Sequence, residues 1–416
     1  MDKTRYGKDG KRLMIANYAG IAPKGDLILL QKLAERLHKR SFLHVNSTRE
    51  GGGVAEILQR MVPILQSLGI DARWEVIEGD PAFYEITKKI HNALQGNPET
   101  ITGEMWEHHF EINKANAERI DLGADAVLIH DPQPGPLVEF RPGGTWIWRC
   151  HIDISNPSRQ VSKALGRYAD KYDGVIFSVA KFAQALPIDK FIIPPSIDPL
   201  SEKNRELTGE EINEAVERLN IPRDRPIILQ VSRFDRFKDP VGVIRAYRMV
   251  KKYNDCILVL AGSPATDDPE GAAVLEEVKE FAAGDKDVRI LLLPPFSDRD
   301  INALQRVADV VLQKSLKEGF GLTVAEAMWK GKPVVGGFVG GIPLQIAHGV
   351  NGFLVNSVEG TAFRIRQLLN HRELAAKMGQ KAREYVRANF LITRQIRDYL
   401  AVWYTLENKG TSVFVL

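Results

Sequence analysis

Two doubly wound α/β domains, each built on a mainly parallel sheet, are what the sequence predicts. Three observations lead there. Short apolar runs alternate with helix-period stretches, the alternation stops at one charged segment and restarts, and 416 residues exceed what one ordinary core holds. In such sheets ligands sit beyond the carboxyl ends of the strands, so the loops that follow the strands are where chemistry belongs.

The first strand is expected over Ser41–Asn46 (SFLHVN), followed by a Ser/Thr/Gly loop and a helix. In that helix Val54, Ile57, Leu58, Met61, Leu65 and Leu68 recur at three- and four-residue spacing, with Gly69 as its cap. Strands follow near Arg73–Ile77 and Ala126–His130 with a long helical stretch between them, then near Trp146–Cys150, Gly174–Ser178 and Phe191–Ile193. The charged stretch from Ser201 to about Arg225 interrupts this rhythm and places the boundary of an N-terminal domain, residues 1–215. Strands then resume at Ile227–Val231, Cys256–Ala261, Val288–Leu293, Val310–Gln313 and Pro333–Gly336, giving a second domain over residues 216–390. The helical segment 391–416 is expected to return toward the first domain. No repeat of 20 to 50 residues and no low-complexity tract interrupts the chain.

Composition narrows the function classes. A net charge of +3 is slight for this length and argues against a nucleic-acid binder held by broad electrostatics. Nowhere do roughly 18 apolar residues follow one another, so no membrane span is expected, and MDKTRYGKDGKRL lacks the apolar run of a secretory signal. Cys150 and Cys256 are far apart, which fits a reducing compartment, and a cytoplasmic protein is the expectation. The sequon Asn46–Thr48 then reads as chance.

Familiar nucleotide and metal motifs fail on inspection. Gly331-Lys332 is followed by Pro333 where a phosphate-binding loop needs Ser or Thr, and Gly319-Phe320-Gly321-Leu322-Thr323-Val324 ends in valine where a dinucleotide fingerprint needs glycine. Asp298-Arg299-Asp300 has metal-like spacing but begins a helix after Pro294-Pro295, with Ser297 or Asp298 as its cap, and Asp285-Lys286-Asp287 precedes its strand. His108 and His109 are adjacent and point apart on a helix. No metal site is expected.

What remains is a set of polar residues on strand-end loops. Asn46-Ser47-Thr48-Arg49-Glu50-Gly51-Gly52-Gly53 leads from a strand into a helix. Its glycines let a ligand approach the backbone, and first-turn amides favour an anion; the same run also reads as a flexible turn. In IILQVSRFDRFKDP the strand ends at Val231, and Arg233 and Lys238, five positions apart, lie beyond it. A guanidinium fork and a compact ammonium can grip a diphosphate and offset the charge that builds as it departs. Alone, they also read as solvated surface charges.

KEGFGLTVAEAMW places Glu318 and Glu326 eight positions apart around a glycine turn, with a helix expected from near Leu322. The amides of its first turn can meet a phosphate. Glu326 lies among Val324, Ala325, Ala327, Met328 and Trp329. A carboxylate in that setting needs partners: either a structural Arg or Lys, or two vicinal ribose hydroxyls donating to its two oxygens. Glu318, which alone would read as a surface residue, could contact a sugar beside the reacting carbon.

Arg233 and Lys238 followed by Glu318 and Glu326, with glycines between the glutamates, resemble the signature of retaining GT-B glycosyltransferases of the glycogen-synthase and sucrose-synthase kind. Within that group the stretches VNSTREGGGVAEIL, HNALQG, VLIHDPQP, WRCHIDIS, PPSIDPLSEKN, QVSRFD and EGFGLTVAEAMWKGKPV resemble the trehalose glycosyltransferring synthases, from about Arg40 to the C-terminal helices.

The resemblance implies the GT-B architecture, two Rossmann-like domains facing across a cleft that closes by a hinge. It implies Arg233 and Lys238 on the donor diphosphate, Glu326 on the ribose, the amides of Leu322 and Thr323 on the distal phosphate, and Glu318 on hydroxyls of the transferred glucose. His151, at the end of the Trp146–Cys150 strand, would line the reacting sugar, Asp131 the acceptor side, and Gly52 and Gly53 the border of the cleft. Outside the resemblance, His151 and Asp131 read as loop residues.

The implied reaction moves glucose from ADP- or UDP-glucose to the anomeric hydroxyl of glucose, with retention and reversibly, giving trehalose and a nucleoside diphosphate. No cofactor is implied, and magnesium would enter only as companion of the free nucleotide. Relatives suggest a homodimer. A trehalose phosphorylase using free phosphate, another sugar glycosyltransferase of this fold, and a noncatalytic nucleotide-sugar binder are the competing readings.

Overall fold

The computed structural model describes residues 14–50, 52–183, 186–262, 269–294 and 296–410, so Gly51, Pro295 and the N-terminal MDKTRYGKDGKRL lie outside the described residues. The chain forms two compact units, one of Met1–Ser196 with Ile392–Leu416 and one of Ile197–Leu391.

The first unit carries six parallel strands: β1 (Ser41–Asn46), β2 (Asp71–Val76), β3 (Ala126–His130), β4 (Thr145–Cys150), β5 (Gly174–Phe177) and β6 (Asp189–Ile192). They stand side by side as β2-β1-β3-β4-β5-β6. β3, β4 and β5 are buried at every position, as expected of strands covered by helices on both faces. The helix after β1 runs Gly53–Ser67 and ends through Leu68 into Gly69, whose φ of 83° suits a residue without Cβ. The long helical stretch before β3 is two helices, Pro81–Leu94 and Gly103–Arg119, capped by Asp80 and Thr102.

The C-terminal helix Ile392–Glu407 packs on helix Lys24–Arg36 and belongs to this unit. It sets the fully buried Trp403 against Phe42 of β1, ring centres 5.1 Å apart, and its Glu407 pairs with Arg40 just before that strand.

The second unit also carries six parallel strands: β7 (Ile227–Val231), β8 (Ile257–Gly262), β9 (Val288–Leu292), β10 (Val310–Gln313), β11 (Val334–Gly337) and β12 (Phe353–Val355). Their order is β12-β11-β10-β7-β8-β9. β12, three residues long, is too short to announce itself in the sequence.

The division between the units falls at Ser196/Ile197, ahead of the charged stretch where the sequence places it. The stretch resembles a linker because it is polar, yet its charges are consumed inside the second unit. Arg205 binds Glu202 and Glu211, Arg299 also reaches Glu211, and Glu206 lies between Arg306 and Arg383. Asn204, near its start, is buried and takes a hydrogen bond from the Lys330 ammonium.

Each sheet reverses its strand order once, between β1 and β3 in the first unit and between β7 and β10 in the second. At such a point the neighbouring connections leave toward opposite faces and open a crevice above the strand ends.

Candidate active site

In the second unit the loops after β7 and β10 carry the charged residues. Lys238 ends a short 3-10 helix, Arg236–Lys238, that Asp235 caps by accepting the Phe237 N–H at 2.7 Å. Its ammonium donates to Glu318 Oε2 at 2.6 Å, and that oxygen also accepts from Ser315 Oγ at 3.1 Å and Gln313 Nε2 at 3.2 Å. Glu318 is therefore no surface residue: its side chain is 11% exposed and Lys238's 17%. A backbone bond from Leu316 N–H to Phe237 C=O, 2.7 Å, and the partly buried pair Lys314–Asp239 tie the two loops together. Arg233 differs, with its side chain 63% exposed and Asp235 3.5 Å away. The two cations five positions apart thus have separate partners.

The turn bearing Glu318 is fixed from β11. Gly340 has φ 54°, and a Cβ there would fall 1.7 Å from the Glu318 carbonyl oxygen, so only glycine permits this approach. The helix beyond the turn runs Leu322–Trp329 from Gly321, with no side chain capping its first amides, and Thr323 Oγ donates to Gln313 Oε1 at 3.0 Å. Leu322 and Thr323 are its first two residues, at the end where helix amides lack partners within the helix.

Glu326 is 2% exposed within that helix. Its Oε1 lies 3.9 Å from Lys203 Nζ, and its Oε2 is buried without a hydrogen-bond partner. Lys330, one turn on, bonds the backbone carbonyl of Glu326 at 3.2 Å rather than its carboxylate. Burial pushes the Lys330 ammonium down to about 7, against the opposing pull of Glu326. The two sequence readings of this carboxylate thus resolve toward incomplete satisfaction: one cation near one oxygen and no donor to the other.

In the first unit the candidate residues lie past β1, β3 and β4. Gly52 precedes the helix Gly53–Ser67 with φ 80°, a backbone state that excludes side chains although the space around it is open. Asn46 holds this loop by donating to Thr48 C=O at 2.8 Å and accepting from Trp74 Nε1 at 2.8 Å.

Asp131, just beyond β3, has φ 65° and accepts the His151 backbone N–H at 2.7 Å. Burial pushes its carboxyl up to about 6, opposed by that hydrogen bond and by Arg149. His151 accepts or donates at Nε2 to His130 Nδ1, 3.1 Å away, and His130 Nε2 in turn meets His44 Nδ1 at 3.1 Å. His44 and His130, along with the fully buried Arg149, are absent from the sequence reading. Their signal was available: each is an ionisable residue in an otherwise largely apolar strand, SFLHVN, AVLIH and TWIWRC. Gln230 and Gln313 are the polar residues of β7 and β10.

Elsewhere, the other flagged residues have structural roles. His108 bonds Asp80 and the buried His109 bonds Gln133 C=O, each at 3.0 Å. Asp285 pairs with Arg248, Asp287 with Lys251, and Asp300 with Arg218. Ser297 precedes the helix Asp298–Val307 but turns its hydroxyl back to Pro294 C=O instead of capping. Cys150 and Cys256 are buried free thiols. Among the described residues, no group of three or more His, Cys, Asp or Glu is placed to hold a metal, and no helix is long and apolar enough to cross a membrane.

Comparison with known proteins bears on family and fold. Residues 44–184 match the family model for the trehalose synthase N-terminal domain, and residues 211–385 match that for glycosyl transferases group 1. A trehalose synthase of Thermococcus litoralis is 49% identical over 404 residues, covering 95% of this chain and 98% of its own. A trehalose phosphorylase of Grifola frondosa is 29% identical, covering 89% of this chain but 58% of its own length. In fold, the chain superposes on sucrose-phosphate synthase from Thermosynechococcus elongatus with TM-score 0.70 at 19% identity, covering 89% of this chain and 99% of that one. With two parallel six-stranded Rossmann-like units, both family models and near-full-length identity in agreement, the chain belongs to the trehalose synthase family of GT-B glycosyltransferases.

Proposed function

We propose that this glycosyltransferase takes glucose from a nucleoside-diphosphate glucose and joins it, with retention, to the anomeric hydroxyl of a second glucose, forming trehalose. The observation that carries the nucleotide part is Glu326: a buried carboxylate with one oxygen lacking any donor. A vicinal diol supplies two donors at carboxylate spacing, and the ribose of a nucleotide is such a diol.

The remaining assignments follow from charge. Lys238 and Arg233 meet the diphosphate, and the amides of Leu322 and Thr323 meet its distal phosphate at the helix N-terminus. As the bond to the anomeric carbon breaks, negative charge gathers on the departing phosphate, where these cations stabilise it. Glu318, already bonded to Lys238, is positioned to accept from hydroxyls of the transferred glucose while keeping the ammonium in place. In the first unit His151 serves the reacting sugar, Asp131 the acceptor, and Gly52 and Gly53 border the substrate. The incoming hydroxyl gives its proton to the leaving phosphate oxygen, so attack and departure share one face. The same bonds run in reverse when nucleoside diphosphate is abundant.

The test is to mix the purified protein with several nucleotide-glucose donors and free glucose and to identify the disaccharide and its anomeric configuration. An α,α-1,1-linked product that forms only with nucleotide is expected. A second reading, phosphorolysis, is favoured by the phosphorylase relative. It would show as glucose 1-phosphate formed from trehalose and orthophosphate without nucleotide, a condition in which Glu326 has no task.

A further inference from the structure

We propose that His44 and His130 are positioning residues for His151: the line His44–His130–His151 holds the His151 ring as the tautomer protonated on Nδ1, so that it meets a substrate hydroxyl as a hydrogen-bond donor. This rests on the reading that His151 faces the reacting sugar.

The three rings come from β1, β3 and the residue after β4. They are linked by two nitrogen–nitrogen contacts of 3.1 Å, with ring centres 5.5 and 5.4 Å apart and near-parallel planes, 22° and 15°. Each contact needs one N–H and one lone pair. A neutral imidazole has one of each, so His130 in the middle must donate on one side and accept on the other. Only two directions are left.

In the first direction His44 Nδ1–H donates to His130 Nε2, and His130 Nδ1–H donates to His151 Nε2. His151 then carries its proton on Nδ1, and His44 Nε2 keeps a lone pair. In the second, every proton moves to the other nitrogen, and His44 Nε2 becomes an N–H. That atom is buried and has no hydrogen-bond partner. A buried N–H without an acceptor is rarer and more costly than an unshared lone pair, so the first direction prevails.

The surroundings keep the rings neutral, as the argument requires. Burial draws His44 down to about 3, and His130 and His151 well below their ordinary value. The Arg149 guanidinium adds to this for His130 and His151. It is fully buried, with Nη2 bonded to Ser178 Oγ at 3.1 Å and with Nε and Nη1 unpartnered. A cation in that place makes a second positive charge on the line expensive. His151 accordingly acts as a fixed neutral donor and not as a proton source.

The direct test is nuclear magnetic resonance of the full chain labelled with 15N-histidine, because ring nitrogens with and without a proton differ widely in 15N shift; signals are assigned by their loss in H44N and H151A. The expected spectrum places the proton of all three rings on Nδ1. A His151 protonated on Nε2 overturns the proposal. H44N keeps an amide N–H where Nδ1 stood and should retain both the His151 tautomer and kcat within about twofold, whereas H44L removes that donor. H44L should give mixed His151 tautomers and lower kcat about five- to tenfold at unchanged donor KM, the size of one lost hydrogen bond. H44L with the native tautomer and native kcat also overturns it, and if H44L does not fold, the native spectrum decides alone. Full activity in H151A would instead remove the underlying reading of the site while leaving the tautomer result intact.

Discussion

The two units place their polar residues at the same topological position and fill it with opposite chemistry. Past β7 and β10 the groups are ionic: Lys238 on Glu318, Lys314 on Asp239, and Arg233 exposed beside them. On β1, on β3 and just past β4 stands a line of neutral rings, His44, His130 and His151, beside the carboxyl of Asp131, which is pushed up to about 6. A diphosphate needs cations that remain charged, and these survive partial burial because each has a counter-charge. A sugar needs directed neutral donors and acceptors, and imidazoles can be buried at less cost than charges.

The strongest way to break the contrast is to remove charge from the second unit. Lys238→Ala is expected to cost about a hundred- to a thousandfold in kcat, the scale of a lost group that stabilises transition-state charge. Steady-state rates with saturating donor measure it, and a loss below tenfold would undo the ionic half of the comparison. His151→Ala tests the neutral half and should lower kcat about a hundredfold, whereas undiminished turnover would contradict its assigned role. Next in size, Glu326→Ala should raise donor KM about ten- to a hundredfold, as expected of a hydrogen-bonded charged group. A donor lacking a ribose hydroxyl sharpens this: the native protein should bind it more weakly, and Glu326→Ala should no longer distinguish it.

The neutral line also predicts how stability follows pH. His44 has a folded pKa of about 3 against 6.5 unfolded, and His109, buried against Gln133, about 4. Their contribution is therefore present above about 6.5 and lost as pH falls through that window, at up to about 1.4 kcal/mol per pH unit for each ring. Asp131 works the other way, its pKa rising from 3.8 to about 6, so its contribution is lost as pH rises between those values. His130 and His151 are lowered as well, whereas Asp131 is the one carboxylate raised among the described residues, so the melting temperature should fall between pH 6.5 and pH 5, and His44→Asn should reduce proton uptake on unfolding by about one. A flat melting profile across that range would mean the rings are not held neutral. The smallest expected effect is none: if amino-acid cations do the work of a metal, turnover in chelator should equal turnover without it.

Much of the fold was legible because the inner strands are short, buried, largely apolar runs. Ser41–Asn46, Ala126–His130, Ile227–Val231 and Val310–Gln313 fall where the apolar pattern puts them. The unit boundary was not legible, since Ser201–Arg225 has a linker's composition. That Glu206 faces Arg306 and Arg383, 100 and 177 positions away, is no property of that segment alone. In the site, residue types beyond strand ends pointed to Lys238, Glu318 and Glu326, but not to the Lys238–Glu318 bond. The histidine line stayed hidden because its members are 86 and 21 positions apart.

By itself, the sequence determined the alternation of strands and helices, the apolar setting of Glu326 and the cations beyond β7, because periodicity and side-chain type are local properties. Only the tertiary structure decided the rest. It chose which strands adjoin where the order reverses, joined Lys238 to Glu318, and set three distant histidines in contact beside a buried guanidinium. The physical reason is that hydrogen bonds and ion pairs act over a few ångströms in space, while the chain specifies order only along its own length.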